Sequence, residues 1–347
     1  MADGGFRIGW FAKRFTPDVA SVRLRLLGPI AALRARGVEI EQWHAMRADC
    51  YDALIISKSF TRSGLNVART ASASGKPIVV DMCDNDLEKA DRKRRPAKRA
   101  RIVEMLERST LVTVPTSGLA AQIAAELPGV AHKLRLVPDM LDDTGRLSTT
   151  PSLLDSWRLA RLGRFLAAHP SALHCVWFGN SSGEASGFAH LAAIVPRLER
   201  FAQTRAMTLT VISNDRGRYR RAARTWGMPH LYLPWSLASF GAALAMHRVA
   251  LIPIRRNGYT VGKSINRPAT AILAGLGVVA DAIDSYEELR AFVALDDWEK
   301  GLVRYADHWD EERPRLAAAR SHLTGRYGTE RAAERWAGVL AEITPPN

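Results

Sequence analysis

Cysteine is scarce in this sequence of 347 residues, and long hydrophobic runs are absent. Cys50, Cys83 and Cys175 are odd in number and far apart, which argues against a disulfide framework and against a cysteine-based zinc site. No apolar run approaches the roughly 20 residues that cross a bilayer, and the first residues lack the apolar core of a signal peptide. The sequence therefore predicts a cytoplasmic protein that is soluble or peripheral on the inner face of a membrane.

Metal-binding and hydrolase signatures are also missing. The nine histidines show no metal-ligand spacing. No Ser-His-Asp or Cys-His arrangement can be inferred from residue order. We therefore expect no metal site.

Positive charge is in excess, with 49 Lys and Arg against 35 Asp and Glu and a net charge of +14. Eight basic residues lie between Lys89 and Arg101, and five arginines between Arg216 and Arg224. Such patches attract nucleotides, anionic membranes and nucleic acids. An anionic membrane that meets the segment from Lys89 to Arg101 is one candidate partner, and a solvated helix face is an equal alternative. Nucleic acid is the less favoured partner because no nucleic-acid-binding motif accompanies the charge.

Short apolar strands alternate with amphipathic helices along the chain. This pattern is typical of right-handed βαβ units, and hence of parallel sheets covered on both faces. The length suits two domains, and the polar stretch 139–151 is the candidate linker. We predict an α/β protein of two Rossmann-like, doubly wound domains, residues 1–145 and 146–327, facing each other across a cleft. The helix at about 328–347 has an apolar stripe and is a candidate to pack back on the first domain.

Open parallel sheets bind ligands beyond the carboxyl ends of their strands. Gly179, Asn180 and Ser181 follow the predicted strand 175–178 and begin a turn of small residues over 179–183. Such a turn lets the backbone approach a diphosphate, and the next helix dipole favours negative charge. An ordinary strand–helix connection is an even alternative. Trp235, after the predicted strand 230–233, is a candidate to contact a nucleobase, with core packing an equal alternative.

A second polar group opens the helix that follows the predicted strand 249–254. Lys263 and Arg267 can neutralise phosphate oxygens, while Ser264 and Asn266 can hydrogen-bond a ribose or a phosphate. Pro268 suits the first turn of a helix. The alternative interpretation is a capped helix with exposed charges.

Carboxylates cluster at one strand end of the first half. Asp84 is the best candidate there to orient or deprotonate an acceptor hydroxyl, and Asn85 lies beside it. Asp86 suits a helix cap, and Asp81 either faces the acceptor or anchors a neighbouring loop.

Two further basic residues are candidates on the acceptor side. Lys58 follows the predicted strand 53–57. Arg23 belongs to the early loop 16–25, where either it or Arg25 reaches an anionic group while the other solvates the helix.

Together these residues resemble the bacterial GT-B glycosyltransferases of the group 1 type, and the resemblance spans nearly the whole chain. The segments that carry it are Ser57-Lys58-Ser59, residues 79–85, Trp177-Phe178-Gly179-Asn180 and, above all, Lys263-Ser264-x-Asn266-Arg267 followed by residues 274–280.

The resemblance implies transfer of a sugar from a nucleotide-sugar, which is a substrate and not a cofactor, to a saccharide or lipid-linked acceptor in surface polysaccharide or glycolipid synthesis. It implies that acceptors bind the N-terminal half. It also implies a metal-independent mechanism, in which positive side chains and the helix dipole stabilise the departing nucleotide. The implied donor-binding residues are Gly179, Asn180, Lys263, Ser264, Asn266 and Arg267.

The sequence departs from the family pattern at two places. No glutamate pair frames the helix after Arg267, and no Arg and Lys follow the glycine turn. The alternatives are a GT-B nucleotide-sugar epimerase or hydrolase, and a non-catalytic basic protein that binds nucleic acid.

Overall fold

The computed structural model describes residues 5–89, 95–142, 150–181 and 187–345. The chain forms two compact units. The first unit comprises Met1–Leu141, Asn257–Ser264 and Gly325–Asn347, and the second comprises Asp142–Arg256 and Ile265–Thr324. Short segments that lie late in the sequence therefore belong to the first unit.

The first unit is built on a parallel sheet of six strands in the order β2-β1-β3-β4-β5-β6. Its strands are β1 (Ile8–Ala12), β2 (Ile40–Gln42), β3 (Ala53–Ser57), β4 (Ile78–Asp81), β5 (Leu111–Val114) and β6 (Leu134–Leu136). Its helices before residue 142 are α1 (Ala20–Val22), α2 (Gly28–Arg34), α3 (Arg62–Ala73), α4 (Asp86–Lys89), α5 (Pro96–Arg108) and α6 (Ser117–Glu126). A π-helical stretch, Arg23–Leu27, joins α1 to α2.

The second unit contains another six-stranded parallel sheet, in the order β12-β11-β10-β7-β8-β9. Its strands are β7 (Leu173–Phe178), β8 (Met207–Ser213), β9 (His230–Pro234), β10 (Val249–Ile252), β11 (Gly277–Ala280) and β12 (Ala294–Leu295). The helices after residue 150 are α7 (Leu153–Ala167), α8 (Phe188–Ala202), α9 (Arg216–Ala222), α10 (Leu237–Ala245), α11 (Asn266–Leu273), α12 (Trp298–Asp307), α13 (Trp309–Tyr327) and α14 (Thr329–Ala341).

Helices cover both faces of each sheet, which explains the nearly continuous apolar runs of the central strands. All five residues of β3 are buried, for example. On one face of the first sheet, α14 contributes Trp336 to the core, and its ring meets that of Trp10 with centroids 4.7 Å apart. The predicted α/β class with two doubly wound parallel sheets is confirmed.

Local details differ from the sequence-based expectations. The charged segment 87–108 does not form one continuous helix, because α4 ends at Lys89 and Pro96 occupies the first turn of α5. The two-residue strand β12 was not expected, and Asp284–Leu289 forms a 3-10 helix. Most of the predicted linker, residues 143–149, lies outside the described residues. Within the described ranges, no helix is both long and apolar enough to cross a membrane.

Candidate functional site

Four polar side chains meet in the first unit at the carboxyl ends of β3 and β4, and we call them the Asp84 cluster: Lys58, Asp84, Tyr259 and Lys263. Lys58 Nζ lies 2.7 Å from one carboxylate oxygen of Asp84, and Lys263 Nζ lies 2.8 Å from the other. Lys263 also donates to the Tyr259 hydroxyl at 3.2 Å, with its ammonium 4.3 Å from the centre of that ring. One carboxylate is thus shared by two ammonium groups.

The backbone and the ionisation of this cluster are both unusual. Lys58 has a φ of +47°, a left-handed conformation that costs free energy for a residue other than glycine. Burial acts to lower the pKa of Lys58, but Asp84, Cys83 and Asp86 together raise that pKa above its usual range. Burial, followed by the negative charge of Asp84, raises the pKa of Tyr259. At neutral pH Lys58 is therefore an ammonium group and Tyr259 a protonated phenol.

The segment that supplies Lys263 and Tyr259 is held in the first unit by its carbonyl groups. The carbonyl oxygen of Gly258 accepts from Asn85 Nδ2 at 3.2 Å and from Gln122 Nε2 at 2.7 Å. That of Gly262 accepts from Thr116 Oγ1 at 2.9 Å. A Cβ on Gly258 would lie 2.9 Å from the carboxyl carbon of Glu88, so a side chain there would require Glu88 to move. Close packing of backbone against side chains fixes this segment.

The predicted group of residues around the start of α11 is divided between the two units. Lys263 and Ser264 were expected beside Asn266 and Arg267 as donor-binding residues, but they lie in the first unit, whereas Asn266 is the first residue of α11 in the second. Ser264 Oγ donates to Asp139 at 2.7 Å. Asn85, predicted on the acceptor side, is buried. Its side chain donates to the Gly258 carbonyl and accepts from the backbone N–H of Glu88.

Asp81 and Arg23, two residues predicted on the acceptor side, are both buried. Arg25 Nε donates to Asp81 at 3.0 Å, and its Nη1 donates to Asp139 at 2.7 Å. Ser57 Oγ and Thr113 Oγ1 also donate to Asp81, each at 2.8 Å. Arg23 Nη1 donates to the Pro17 carbonyl at 2.5 Å. Asp81 is therefore an internal anchor, as the alternative interpretation had it, and Arg25 is its partner.

In the second unit, the turn after β7 lies beside a guanidinium group. A Cβ placed on Gly179 would lie 2.7 Å from Nη2 of Arg267, which belongs to the first turn of α11. The guanidinium also lies 5.8 Å from the ring centre of Trp177. The structure thus brings together Gly179 and Arg267, two of the predicted site residues. The absence of a side chain on Gly179 allows the Arg267 guanidinium to lie this close.

The continuation of that turn contacts residues that follow β8. The backbone N–H of Ser181 donates to Asn214 Oδ1 at 3.0 Å, and Arg218 Nη1 donates to the Ser181 carbonyl at 2.5 Å. Asn180 is exposed, whereas Ser181 is buried. Ser182 and Gly183, the remainder of the predicted turn, lie outside the described residues.

Arg218 is the residue that sequence reasoning missed. It lies on α9 within the arginine-rich stretch from Arg216 to Arg224, so the signal available was charge alone. The family pattern places basic residues directly after the glycine turn. Here Arg218 and Arg267 bring positive charge to the same turn from two other helices.

Trp235 is half-buried after β9, and its ring packs against Phe240 with centroids 6.3 Å apart. This contact favours the core-packing interpretation. Within the described part of the chain, no group of three or more His, Cys, Asp or Glu side chains could hold a metal ion.

The basic segment from Lys89 to Arg101 is described only in part, since residues 90–94 lie outside the described ranges. Lys98 pairs with Asp86 at 3.0 Å, and Arg99 pairs with Glu126. Arg101 donates to the Phe60 carbonyl at 3.2 Å. These three basic side chains therefore satisfy groups of the protein itself.

Comparisons with known proteins agree with this architecture. No protein-family model matches the sequence, and no curated protein matches it. Among solved structures, Anabaena Alr3699/HepE in complex with UDP and glucose is similar with a TM-score of 0.65 and 14% identity, covering 97% of this chain and 100% of that one.

Two further structures show the same similarity. The E. coli trehalose-6-phosphate protein bound with UDP-2-fluoro glucose has a TM-score of 0.70 and 13% identity, covering 98% of this chain and 100% of that one. The UDP-forming α,α-trehalose-phosphate synthase of Burkholderia vietnamiensis has a TM-score of 0.60 and 13% identity, covering 91% and 74%. These neighbours are GT-B glycosyltransferases. The chain has the GT-B fold, and the resemblance inferred from its residues is confirmed at that level.

Proposed function

We propose that the protein is a glycosyltransferase that moves a sugar from a nucleotide-sugar to an acceptor hydroxyl. The observation that carries this proposal is the guanidinium of Arg267 beside Gly179, at the carboxyl end of β7 in a GT-B fold. A glycine turn lets a diphosphate approach the backbone, and an arginine can bind it with two parallel hydrogen bonds. The neighbours bound to UDP and to UDP-2-fluoro glucose support a uridine nucleotide as the donor.

On the donor side, bond cleavage leaves negative charge on the departing nucleoside diphosphate. Arg267 and Arg218 supply fixed positive charge at the turn, and the N-terminal end of the α11 dipole favours the same negative charge. Preorganised charge of this kind stabilises the transition state more than the bound substrate. We propose that these groups act without a divalent ion.

On the acceptor side, we assign Lys263 to the Asp84 cluster because its described contacts are with Asp84 and Tyr259. Both oxygens of Asp84 accept from lysine side chains, and each keeps a second lone pair that can accept from the hydroxyl of an acceptor. The geometry favours positioning by Asp84, with Lys58, Lys263 and Tyr259 donating hydrogen bonds to acceptor oxygens. We propose a saccharide or lipid-linked acceptor, as in surface polysaccharide or glycolipid synthesis.

The test is a thermal-shift panel of UDP, GDP, ADP, TDP and CMP with their sugar conjugates, with and without EDTA. A ligand that binds only the native state stabilises it by about 2.7 kcal/mol at a hundredfold excess over Kd. We expect UDP to raise the Tm, and EDTA to leave that shift unchanged. If no nucleotide raises the Tm, the donor site is wrong.

Product analysis then separates transfer from its alternatives. We expect UDP to be released from the sugar donor faster when an acceptor saccharide is added. An epimerase would convert the donor without an acceptor, and a hydrolase would release the free sugar.

A further inference from the structure

The outward face of α7 carries large apolar side chains on its first two turns. Leu153 is 92% exposed, Leu154 53% and Trp157 55%. Within the described residues, the other large apolar side chains with comparable exposure are single and lie elsewhere, such as Met46. Scattered apolar residues are normal on a protein surface, but a leucine–tryptophan group on one helix end marks a contact surface.

This face is held in place by the inward side of the same helix. Leu162 and Leu166 are buried, as is Asp155. Ser152 caps the helix by accepting from the backbone N–H of Asp155 at 3.1 Å, and Arg158 pairs with Asp155 at 3.3 Å. The apolar side chains therefore project from a docked and capped helix.

Positive charge lies next to the apolar group. Arg161 and Arg164 are exposed and follow Trp157 at spacings of four and seven residues, which places all three on one side of an α-helix. The acidic residue of α7, Asp155, is turned inward and paired. The outward face thus changes along the helix from apolar and aromatic to cationic.

We propose that this face of α7 binds the surface of an anionic phospholipid bilayer. Leu153, Leu154 and Trp157 enter the boundary between head groups and acyl chains, where tryptophan is favoured, and the guanidinium groups of Arg161 and Arg164 meet lipid phosphates. The net charge of +14 draws the protein to the same surface. The alternative membrane-binding segment, from Lys89 to Arg101, is weaker because three of its basic side chains bond to the protein itself.

Co-sedimentation of the full chain with lipid vesicles tests the proposal. Vesicles of phosphatidylcholine with about a third phosphatidylglycerol are compared with vesicles of phosphatidylcholine alone. We expect the Leu153→Ser/Trp157→Ser variant to bind the anionic vesicles about a hundredfold more weakly, because two large apolar side chains are lost. We expect Arg161→Gln/Arg164→Gln to bind about twentyfold more weakly, since each basic residue near such a surface contributes about fivefold.

Matched controls separate this face from general effects of composition. Met46→Ser removes a side chain that is 100% exposed in the first unit, and Arg313→Gln removes an exposed cation on α13. Both should bind vesicles as the parent protein does. All variants change exposed side chains, so we expect the Tm to stay the same. A measured Tm equal to that of the parent protein shows that the variant is folded. The assay contains no nucleotide, so its outcome does not depend on transferase activity.

Equal binding to neutral and anionic vesicles, or undiminished binding by the Leu153→Ser/Trp157→Ser variant, would overturn the proposal. A lipid-free sedimentation run provides another check. If the parent protein forms a dimer that Trp157→Ser dissociates, the face is covered by a second copy of the chain and not by lipid.

Discussion

Replacement of Arg267 by alanine is the most direct perturbation of the donor site. The guanidinium lies at the space over Gly179 where a diphosphate would bind. Hydrogen bonds to a charged group contribute about 1.5 to 3 kcal/mol, so UDP should bind roughly ten- to a hundredfold more weakly to Arg267→Ala. Isothermal titration with UDP measures this change. Arg267→Lys should recover only part of the affinity, because an ammonium group cannot bind two phosphate oxygens in parallel.

Gly179→Ala should weaken UDP binding through the same guanidinium. The added Cβ would lie 2.7 Å from Nη2 of Arg267, closer than van der Waals contact allows, so the arginine must move. Once Arg267 is absent, the extra methyl group has less to displace. The double variant should therefore lose less binding free energy than the sum of the single variants, by at least about 0.5 kcal/mol.

The matched control for charge is Arg290→Gln, which removes an exposed arginine paired with Glu287 in the same unit. It should bind UDP as the parent protein does. Parent-like affinity in Arg267→Ala, or strict additivity with Gly179→Ala, would refute the assignment of this turn as the diphosphate site.

Three further predictions concern other parts of the structure. Arg25→Met leaves two buried carboxylates, Asp81 and Asp139, without their cation. Urea denaturation should show the first unit less stable by about 3 to 5 kcal/mol, and a loss under about 1 kcal/mol would contradict this. Gly187→Ala should displace the turn at Asn180 and weaken UDP binding in isothermal titration, because Gly187 has a φ of +68° and a Cβ would overlap the Asn180 carbonyl oxygen; parent-like affinity would contradict this. Burial lowers the pKa of His247 from 6.5 to about 4, so the folded protein holds it neutral while the unfolded chain gains a proton. Its contribution to stability is complete above pH 6.5 and is lost as pH falls to 4, a change of about 3 kcal/mol that His247→Gln should remove from the pH dependence of unfolding.

The fold was predictable because its signals are local. Buried strands such as β3 and β8 are short apolar runs, and turn residues separate them from helices of the expected length. The two-residue strand β12 was not predictable, since two residues carry no periodicity. Pro96 is a residue type that favours the first turn of a helix, and it begins α5 in the structure.

The site was less predictable because its contacts join distant parts of the chain. Arg218 approaches the Gly179 turn only because β7 and β8 are neighbours in the sheet, and nothing in the sequence around Arg218 specifies that contact. The pairing of Arg25 with Asp81 likewise joins a helix to a strand end. Sequence order indicated which residues follow strands, but it did not indicate which of their side chains become buried.

The segment Lys263-Ser264-x-Asn266-Arg267 shows this most clearly. It looks like one phosphate-binding helix start, yet the boundary between the two units falls after Ser264. Lys263 donates to Asp84 and Ser264 donates to Asp139, whereas the guanidinium of Arg267 lies beside Gly179. Substitution of Lys263 should therefore alter the response to acceptor more than the affinity for UDP, and substitution of Arg267 should do the reverse. Two basic residues four positions apart thus serve different substrates in the proposed reaction, because packing and not spacing decides which charge each one meets.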